Sequence, residues 1–235
     1  MSADDEAATR LVSNILGDSA TNGIDFAMGD IAVSREMYHQ VSQAIADRKI
    51  TVLVQPNLLQ PDEAGRYWPD LKFQDGREFF DILILRFPDL GTGINEQSHR
   101  AAAIVHECTH AGFAMRRVPH MTRTLHEAGA YTAESMFLIA KMLSLGGHPE
   151  RVTKTQPIES AAWDLARLLS RSNAAAPNTD AAAFFNSPDF AVELTQAWSA
   201  LFTAIAASDK YRAVARDPVE NVGLGRQWIT QPRTH

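Results

Sequence analysis

The chain has 235 residues, of which 45% are hydrophobic, and its 28 acidic against 22 basic side chains leave a formal net charge of −6. This length and apolar content are sufficient for a buried core and exclude wholesale disorder. The acidic balance argues against a nucleic-acid-binding protein, which needs clustered cations, and the single cysteine excludes an intrachain disulfide.

The N-terminal region is predicted to begin with helices. Apolar residues recur at helical spacing over residues 6–16 and 35–49, with a break rich in Gly, Asp and Asn between the two segments. The character of the sequence then changes at the β-branched run 50–54, which predicts a strand. A polar loop is predicted over residues 60–70.

A small sheet is expected to include the next segments. Residues 71–74 alternate between apolar and polar side chains and lead into Asp75-Gly76, a dipeptide that favours a tight hairpin turn. Residues 79–87 contain the apolar run 82–85, which is typical of a strand buried on both faces. Together with the strand over 50–54, these segments predict a sheet of about three strands.

The C-terminal half is predicted to consist of helices and connecting loops. The first of these helices spans residues 96–115, with Asn95 as its N-cap and Glu96 at the positive end of the helix dipole. Further helices are predicted over residues 124–145, 157–172 and 189–214, with a loop over residues 173–188.

These elements predict an α+β fold in a single domain over residues 1–235. Its predicted parts are helices and the small sheet over 1–94, two helices over 95–145 and a helical C-terminal part over 146–235. The N-terminus lacks the layout of a signal peptide. The most apolar segment, 194–207, contains polar residues that favour a buried amphipathic helix over a membrane span. The expected location is therefore cytoplasmic, with export by a route that needs no signal peptide as the alternative.

An HExxH pattern lies within the helix predicted over 96–115. His106 and His110 are four residues apart, so their imidazoles project from one face of the helix and can reach one metal ion. Glu107 lies beside them, where it can take a proton from a coordinated water. Cys108 points away and is expected to pack as a thiol, so nitrogen and oxygen ligands are predicted. Zn²⁺ is the expected ion, because catalytic zinc sites combine three such protein ligands with one open position.

The segment over residues 80–140 resembles the gluzincin-type metallopeptidases. In that family the HExxH helix is followed by an antiparallel helix that supplies a glutamate ligand, often within an ExxA pattern. Glu127 begins such a pattern here, so the resemblance implies a zincin-like fold with Zn²⁺ held by His106, His110 and Glu127. The match is incomplete, because Tyr131 stands where thermolysin-like members carry an aspartate.

Other interpretations of Glu127 stay open at this point. Thr124-Leu-His-Glu127 matches a capping box, in which the Glu127 carboxylate would bond to the amide of Thr124. In that case the third metal ligand would come from elsewhere, and Glu134 and His126 are the other candidates.

Further site residues are predicted around the second helix. Tyr131 is predicted to be catalytic, as a donor to a developing oxyanion, with simple packing as the alternative. Glu134 is expected to orient a ligand imidazole, because Glu127, Tyr131 and Glu134 fall on one helical stripe. His120 and His126 lie near the expected metal and are candidates for stabilising the transition state.

The predicted function is the zinc-dependent hydrolysis of peptide bonds, with Glu107 as general base. The resemblance implies a peptide or protein substrate that adds as an extended strand beside the site, next to residues 81–87 or, if that strand is central, next to 71–74. A non-enzymatic zincin-like scaffold and an exported effector or toxin peptidase are the alternatives. No nucleic-acid partner and no membrane span are expected, and the oligomeric state is open.

Overall fold

The computed structural model describes residues 2–29, 31–72, 78–118, 121–149, 154, 156–175, 187–217 and 219. The helices, in chain order, are α1 (Ala3–Leu16), α2 (Ser19–Asn22), α3 (Arg35–Ala46), α4 (Ile94–Arg116), α5 (Arg123–Ser144), α6 (Pro157–Ala175) and α7 (Pro188–Ala207). The strands are β1 (Phe26–Met28), β2 (Ile31–Val33), β3 (Thr51–Val54), β4 (Gly65–Lys72) and β5 (Glu78–Leu85). The described part of the chain is thus mostly helical, with one sheet of two strands and one of three, in keeping with an α+β chain.

The larger sheet has the strand order β3-β5-β4, with β5 parallel to β3 and antiparallel to β4. The predicted sheet of three strands is confirmed, and residues 82–85 of the central strand are buried on both faces. The loop predicted over 60–70 is wrong in its second half, because β4 begins at Gly65. Pro69 fits in this strand because an edge strand tolerates a missing N–H. The predicted turn at Asp75-Gly76 lies outside the described residues.

The smaller sheet is absent from the sequence prediction. β1 and β2 pair antiparallel within the segment interpreted as a break between helices, and Gly29 adopts a φ of +58° between them. Ile31 and Val33 of β2 are fully buried. Strands of three residues are too short to show an alternating pattern, so the sequence does not reveal them.

The capping residue of α4 and the end of α7 differ from the prediction. The N-cap of α4 is Gly93, so Asn95 is not the capping residue predicted for it. α7 ends at Ala207, well before the predicted end at residue 214, and the chain continues as turns over residues 208–216. This early end sends the chain back toward α5, which matters for the site described below.

α7 is also more exposed than the buried helix predicted for this segment. Its buried residues are Phe190, Leu201 and Ile205, and it packs against α5 and α6. By length and composition this helix is apolar enough to cross a membrane, with 17% of its most apolar window buried. Because apolar helices in the core of water-soluble proteins meet the same criterion, the absence of a membrane span stays a prediction.

α4 lies at the centre of the hydrophobic core, where it contacts α1, α3, α5 and the strands β4 and β5 of the larger sheet. α4 and α5 run antiparallel, because His106 meets Glu134 whereas Phe113, further along α4, meets His126. The two helices approach closely at Gly129, where a Cβ atom would lie 2.7 Å from Cζ of Phe113. This close approach brings the polar faces of the two helices together.

Asp5 is a buried acid that connects α1 to the sheet. Its carboxylate accepts the Ser2 amide at 2.8 Å and the Val54 amide at 2.9 Å. Burial opposes ionisation, but these hydrogen bonds outweigh it and hold the pKa of Asp5 below its usual value. We expect Asp5→Ala to lower the free energy of unfolding by about 1–3 kcal/mol at pH 7.

The same interaction predicts a pH dependence for Asp5→Ala. A carboxyl group with a lowered folded-state pKa stabilises the fold above its unfolded pKa of 3.8 and loses this effect as the pH falls through the folded pKa. The difference between Asp5→Ala and wild type should therefore shrink in acid. Urea unfolding at pH 7 and pH 3 measures it, with the exposed Asp4→Ala as control. Equal losses for the two variants would contradict the assignment.

Candidate metal centre

Two histidines of α4 and one glutamate of α5 form a buried polar group. His106 and His110 lie one turn apart on the face of α4 that meets α5, and they are 8% and 7% exposed. Glu127, near the start of α5, lies opposite them and is 6% exposed. Burying such groups is costly unless they compensate one another or bind an ion.

The ligand atoms of these three residues face one another. Nε2 of His106 lies 3.2 Å from Nε2 of His110, and Oε2 of Glu127 lies 3.5 Å from the first nitrogen and 3.6 Å from the second. Among the residues that the structure describes, these side chains form a group in which one ion could contact all three. The chain therefore has a buried His/His/Glu group that could hold a metal ion.

Glu134 contacts the other nitrogen of His106. Oε2 of Glu134 lies 3.0 Å from Nδ1 of His106, so Nε2 is left to face Glu127 and His110. Burial lowers the pKa of His106, but the carboxylates of Glu127 and Glu134 outweigh burial and raise this pKa to about 10. Burial likewise opposes ionisation of Glu127, yet the two histidines hold its pKa well below its usual value. The group thus favours a positive charge at its centre, whether a proton or a metal cation.

Glu107 is positioned by the edge strand of the sheet. The backbone N–H of Tyr67 in β4 donates to Oε2 of Glu107 at 2.7 Å. Burial raises the pKa of Glu107, against the opposing effects of the neighbouring histidines and of this amide. A carboxylate with a raised pKa that lines a cleft beside a group able to hold a metal ion is suited to accept and return a proton.

The capping interpretation of Glu127 is wrong. The N-cap of α5 is Thr122, whose side chain accepts a hydrogen bond from the amide of Leu125. Thr124 lies inside the helix, and its hydroxyl donates to the carbonyl of Ala215 at 2.7 Å. The Glu127 carboxylate is therefore turned toward the histidines rather than back along its own chain.

A pair of tyrosines adjoins the Glu127 carboxylate. Tyr211, which follows α7, donates to Oε2 of Glu127 at 3.1 Å, and its hydroxyl lies 3.2 Å from that of Tyr131. Because Tyr211 gives its one proton to Glu127, Tyr131 is the donor in the second bond. The Tyr131 ring meets His106 edge to face, with centroids 4.6 Å apart. The structure thus places Tyr131 next to the histidines, and its catalytic role stays a prediction.

Sequence reasoning missed Tyr211. This residue is 84 positions from Glu127 and lies in a segment predicted to be the end of a helix. No motif marks a lone tyrosine as a site residue, and only the return of the chain after α7 brings it here. Burial, followed by the charge of Glu127, raises the pKa of Tyr211 far above its usual value, so its hydroxyl stays protonated as a donor.

The remaining predicted residues lie at different distances from the group. His126 stacks on His110, with ring centroids 4.4 Å apart and an interplanar angle of 5°, so it contacts the group without belonging to it. His120 lies outside the described residues. Cys108 is buried in the hydrophobic core, in keeping with a site built from nitrogen and oxygen atoms.

The buried group opens into a cleft of about 530 Å³, a volume typical of small-molecule sites. Its walls are formed by β4, the start of α5 and, from the C-terminal stretch, Lys210, Tyr211, Val214, Asp217 and Val219. Charged side chains also line the cleft, namely Glu63, Arg66, Arg123, Lys210 and Asp217.

The spacing of His106 and His110 fits the HExxH pattern, and the fold adds a buried glutamate to the pair. Comparisons with protein-family profiles, with curated proteins and with solved structures give no match to this chain.

Proposed function

We propose that the chain is a zinc-dependent peptidase of the gluzincin type with a zincin-like fold. The observation that carries this proposal is the triangle formed by Nε2 of His106, Nε2 of His110 and Oε2 of Glu127, with sides of 3.2, 3.5 and 3.6 Å. Ligand atoms about 2.0–2.1 Å from a tetrahedral zinc ion lie about 3.3–3.4 Å from one another. The triangle therefore has the size of one face of a zinc tetrahedron. All three residues line the cleft, so a water or a substrate could reach an ion that they hold.

The residues around this triangle have different roles in the proposed reaction. Zinc bound there would lower the pKa of a coordinated water toward ~7 and polarise a substrate carbonyl. Glu107 takes the proton from the attacking water and returns it to the leaving amine. The Tyr67 amide holds the Glu107 carboxylate at the cleft wall, and Glu134 holds the His106 ring so that Nε2 stays a ligand atom.

The position of β4 favours a peptide as the substrate. β4 is an edge strand, and Gly65, Tyr67 and Trp68 of this strand line the cleft. Among the described strands β4 pairs with β5 alone, and residues along its length line the cleft. The Tyr67 N–H is taken by Glu107, so we expect an extended peptide to bond to neighbouring backbone groups of this edge. β4 rather than the central β5 is therefore the strand against which we expect a substrate to lie.

The proposal is tested by measuring metal content and hydrolysis on the same purified full-length protein. We expect one zinc ion per chain and cleavage of peptides in a diverse library, and we expect a chelator to abolish cleavage until zinc is returned. Elemental mass spectrometry measures the zinc content, and peptide mass spectrometry identifies the cleaved products. Zinc binding without cleavage of any peptide would contradict the peptidase and favour the scaffold alternative. A protein that binds no zinc would contradict the metal site.

A further inference from the structure

We propose that residues 208–217, which follow α7, are part of the metal centre, and that Tyr211 is a positioning residue that orients the carboxylate of Glu127. Metal binding and the docking of this segment are then coupled. The inference rests on the zinc site of the proposed function and goes beyond it, because no sequence motif assigns a role to this segment.

Backbone hydrogen bonds attach the segment to the beginning of α5. The amides of Arg123 and Thr124 donate to the carbonyls of Asp217 and Ala215, at 2.8 Å and 3.0 Å. The Thr124 hydroxyl donates to the same Ala215 carbonyl at 2.7 Å. The first amides of a helix have no partner within the helix. The segment therefore supplies acceptors that stabilise the start of the helix that carries Glu127.

Tyr211 extends from this segment to the ligand atom itself. Its side chain is 6% exposed, and its hydroxyl donates at 3.1 Å to Oε2 of Glu127, the oxygen that faces both histidines. The terminal torsion of a glutamate is broad, so its two oxygens exchange places easily unless one of them is held. A buried donor on Oε2 holds this oxygen toward the two histidines, where it would face a bound ion. Supporting hydrogen bonds of this kind raise metal affinity about 10–100-fold.

Lys210 connects the segment to the opposite wall of the cleft. Its Nζ lies 4.0 Å from Oε1 of Glu63, which precedes β4, and the lysine side chain is 51% exposed. The Glu63 side chain is itself largely buried and already pairs with Arg66, so a contact of 4.0 Å with a half-exposed lysine adds little to stability. Docking of the segment therefore depends mainly on its hydrogen bonds to α5 and to Glu127. Because a bound zinc ion would fix the Glu127 carboxylate, we expect zinc to strengthen this docking.

The Tyr211→Phe variant tests the positioning role, because it removes the hydroxyl and keeps the ring. We expect its zinc dissociation constant to rise about 10-fold or more, measured by competition with a chromophoric chelator. The visible spectrum of the cobalt-substituted protein, which reports ligand geometry, should also change. Tyr38→Phe is the matched control. The Tyr38 hydroxyl is also buried, but it bonds to Thr109 at 2.8 Å and does not line the cleft, so this variant should keep wild-type affinity and spectrum.

Limited trypsin digestion of the full-length wild-type protein tests the coupling. The segment contains Lys210, Arg212 and Arg216, whose side chains are exposed. Because linkage is reciprocal, zinc should slow cleavage after these residues by about the factor that Tyr211 adds to zinc affinity, about 10-fold. Equal zinc affinity of Tyr211→Phe and wild type, or equal cleavage with and without zinc, overturns this proposal and leaves the zinc site intact. A wild-type chain that binds no zinc overturns both proposals.

Discussion

Under the proposed function, Glu107→Gln is expected to bind zinc as the wild type does and to lose the proposed peptidase activity. An amide does not take up a proton at neutral pH, and a positioned general base contributes about 10²–10⁴-fold to rate. We expect a loss near the upper end of that range, because one carboxylate both accepts the proton and returns it. The amide oxygen can still accept the hydrogen bond from the Tyr67 N–H, so the cleft wall should keep its shape.

The measurement is kcat/KM on a cleaved peptide, with the zinc content of each sample determined alongside. Glu96→Gln is the matched control, because it makes the same change in the same helix. Glu96 lies in the first turn of α4, where it pairs with Arg100 outside the cleft. This control should retain full activity. Unchanged hydrolysis by Glu107→Gln would contradict its role as the base, and an equal loss in both variants would indicate a general effect on α4.

Glu127→Ala is expected to weaken zinc binding about 10²–10³-fold. Apparent binding free energies of about 10–16 kcal/mol in four-ligand zinc sites correspond to about 2.5–4 kcal/mol per ligand, which is about 10²–10³ in dissociation constant. The substitution also removes the acceptor of the Tyr211 hydroxyl. Affinity is therefore compared by zinc titration of folded samples, and added zinc should raise the melting temperature of wild type more than that of the variant.

Glu134→Ala tests whether Glu134 is itself a metal ligand or only holds the His106 ring in place. Glu134 contacts Nδ1 of His106 rather than the nitrogen that faces the triangle, so its loss should weaken zinc about 10-fold. The expected order of zinc affinity is wild type, then Glu134→Ala, then Glu127→Ala. The reverse order of the two variants would make Glu134 the third ligand, which is the alternative that the sequence left open.

Long periodic segments account for the parts of the fold that were predicted correctly. α4 and α5 each run for more than 20 residues, and the apolar run 82–85 indicates a central strand. The errors lie in short or peripheral elements. β1 and β2 are too short to show a period, and β4 contains Pro69, which suggests a loop unless the strand is known to be an edge. The early end of α7 at Ala207 carries no clear stop signal.

In the candidate site, too, some residues could be predicted from the sequence and others could not. His106, Glu107 and His110 could be placed together from the sequence because helix geometry is local, and residues four apart always share a face. Glu127 could not be settled, because a ligand and a capping residue have the same local pattern. Two features of the structure exclude the capping role of Glu127. Thr122 caps α5 instead, and the antiparallel packing of α4 and α5 turns Glu127 toward the histidines.

The sequence by itself thus determined an acidic α+β chain with one cysteine, two long helices and a histidine pair able to reach one metal ion. Only the tertiary structure decided that Glu127 completes the group, that the Tyr67 amide holds Glu107, and that Tyr211 reaches Glu127 from 84 positions away. The physical reason is the separation along the chain over which the interactions act. Helices depend on hydrogen bonds between residues four apart, whereas the packing of elements depends on apolar burial summed over the whole chain. Cys108 shows both contributions. The helix period predicted its place on the far side of α4, whereas its burial in the core depends on the packing of the whole fold.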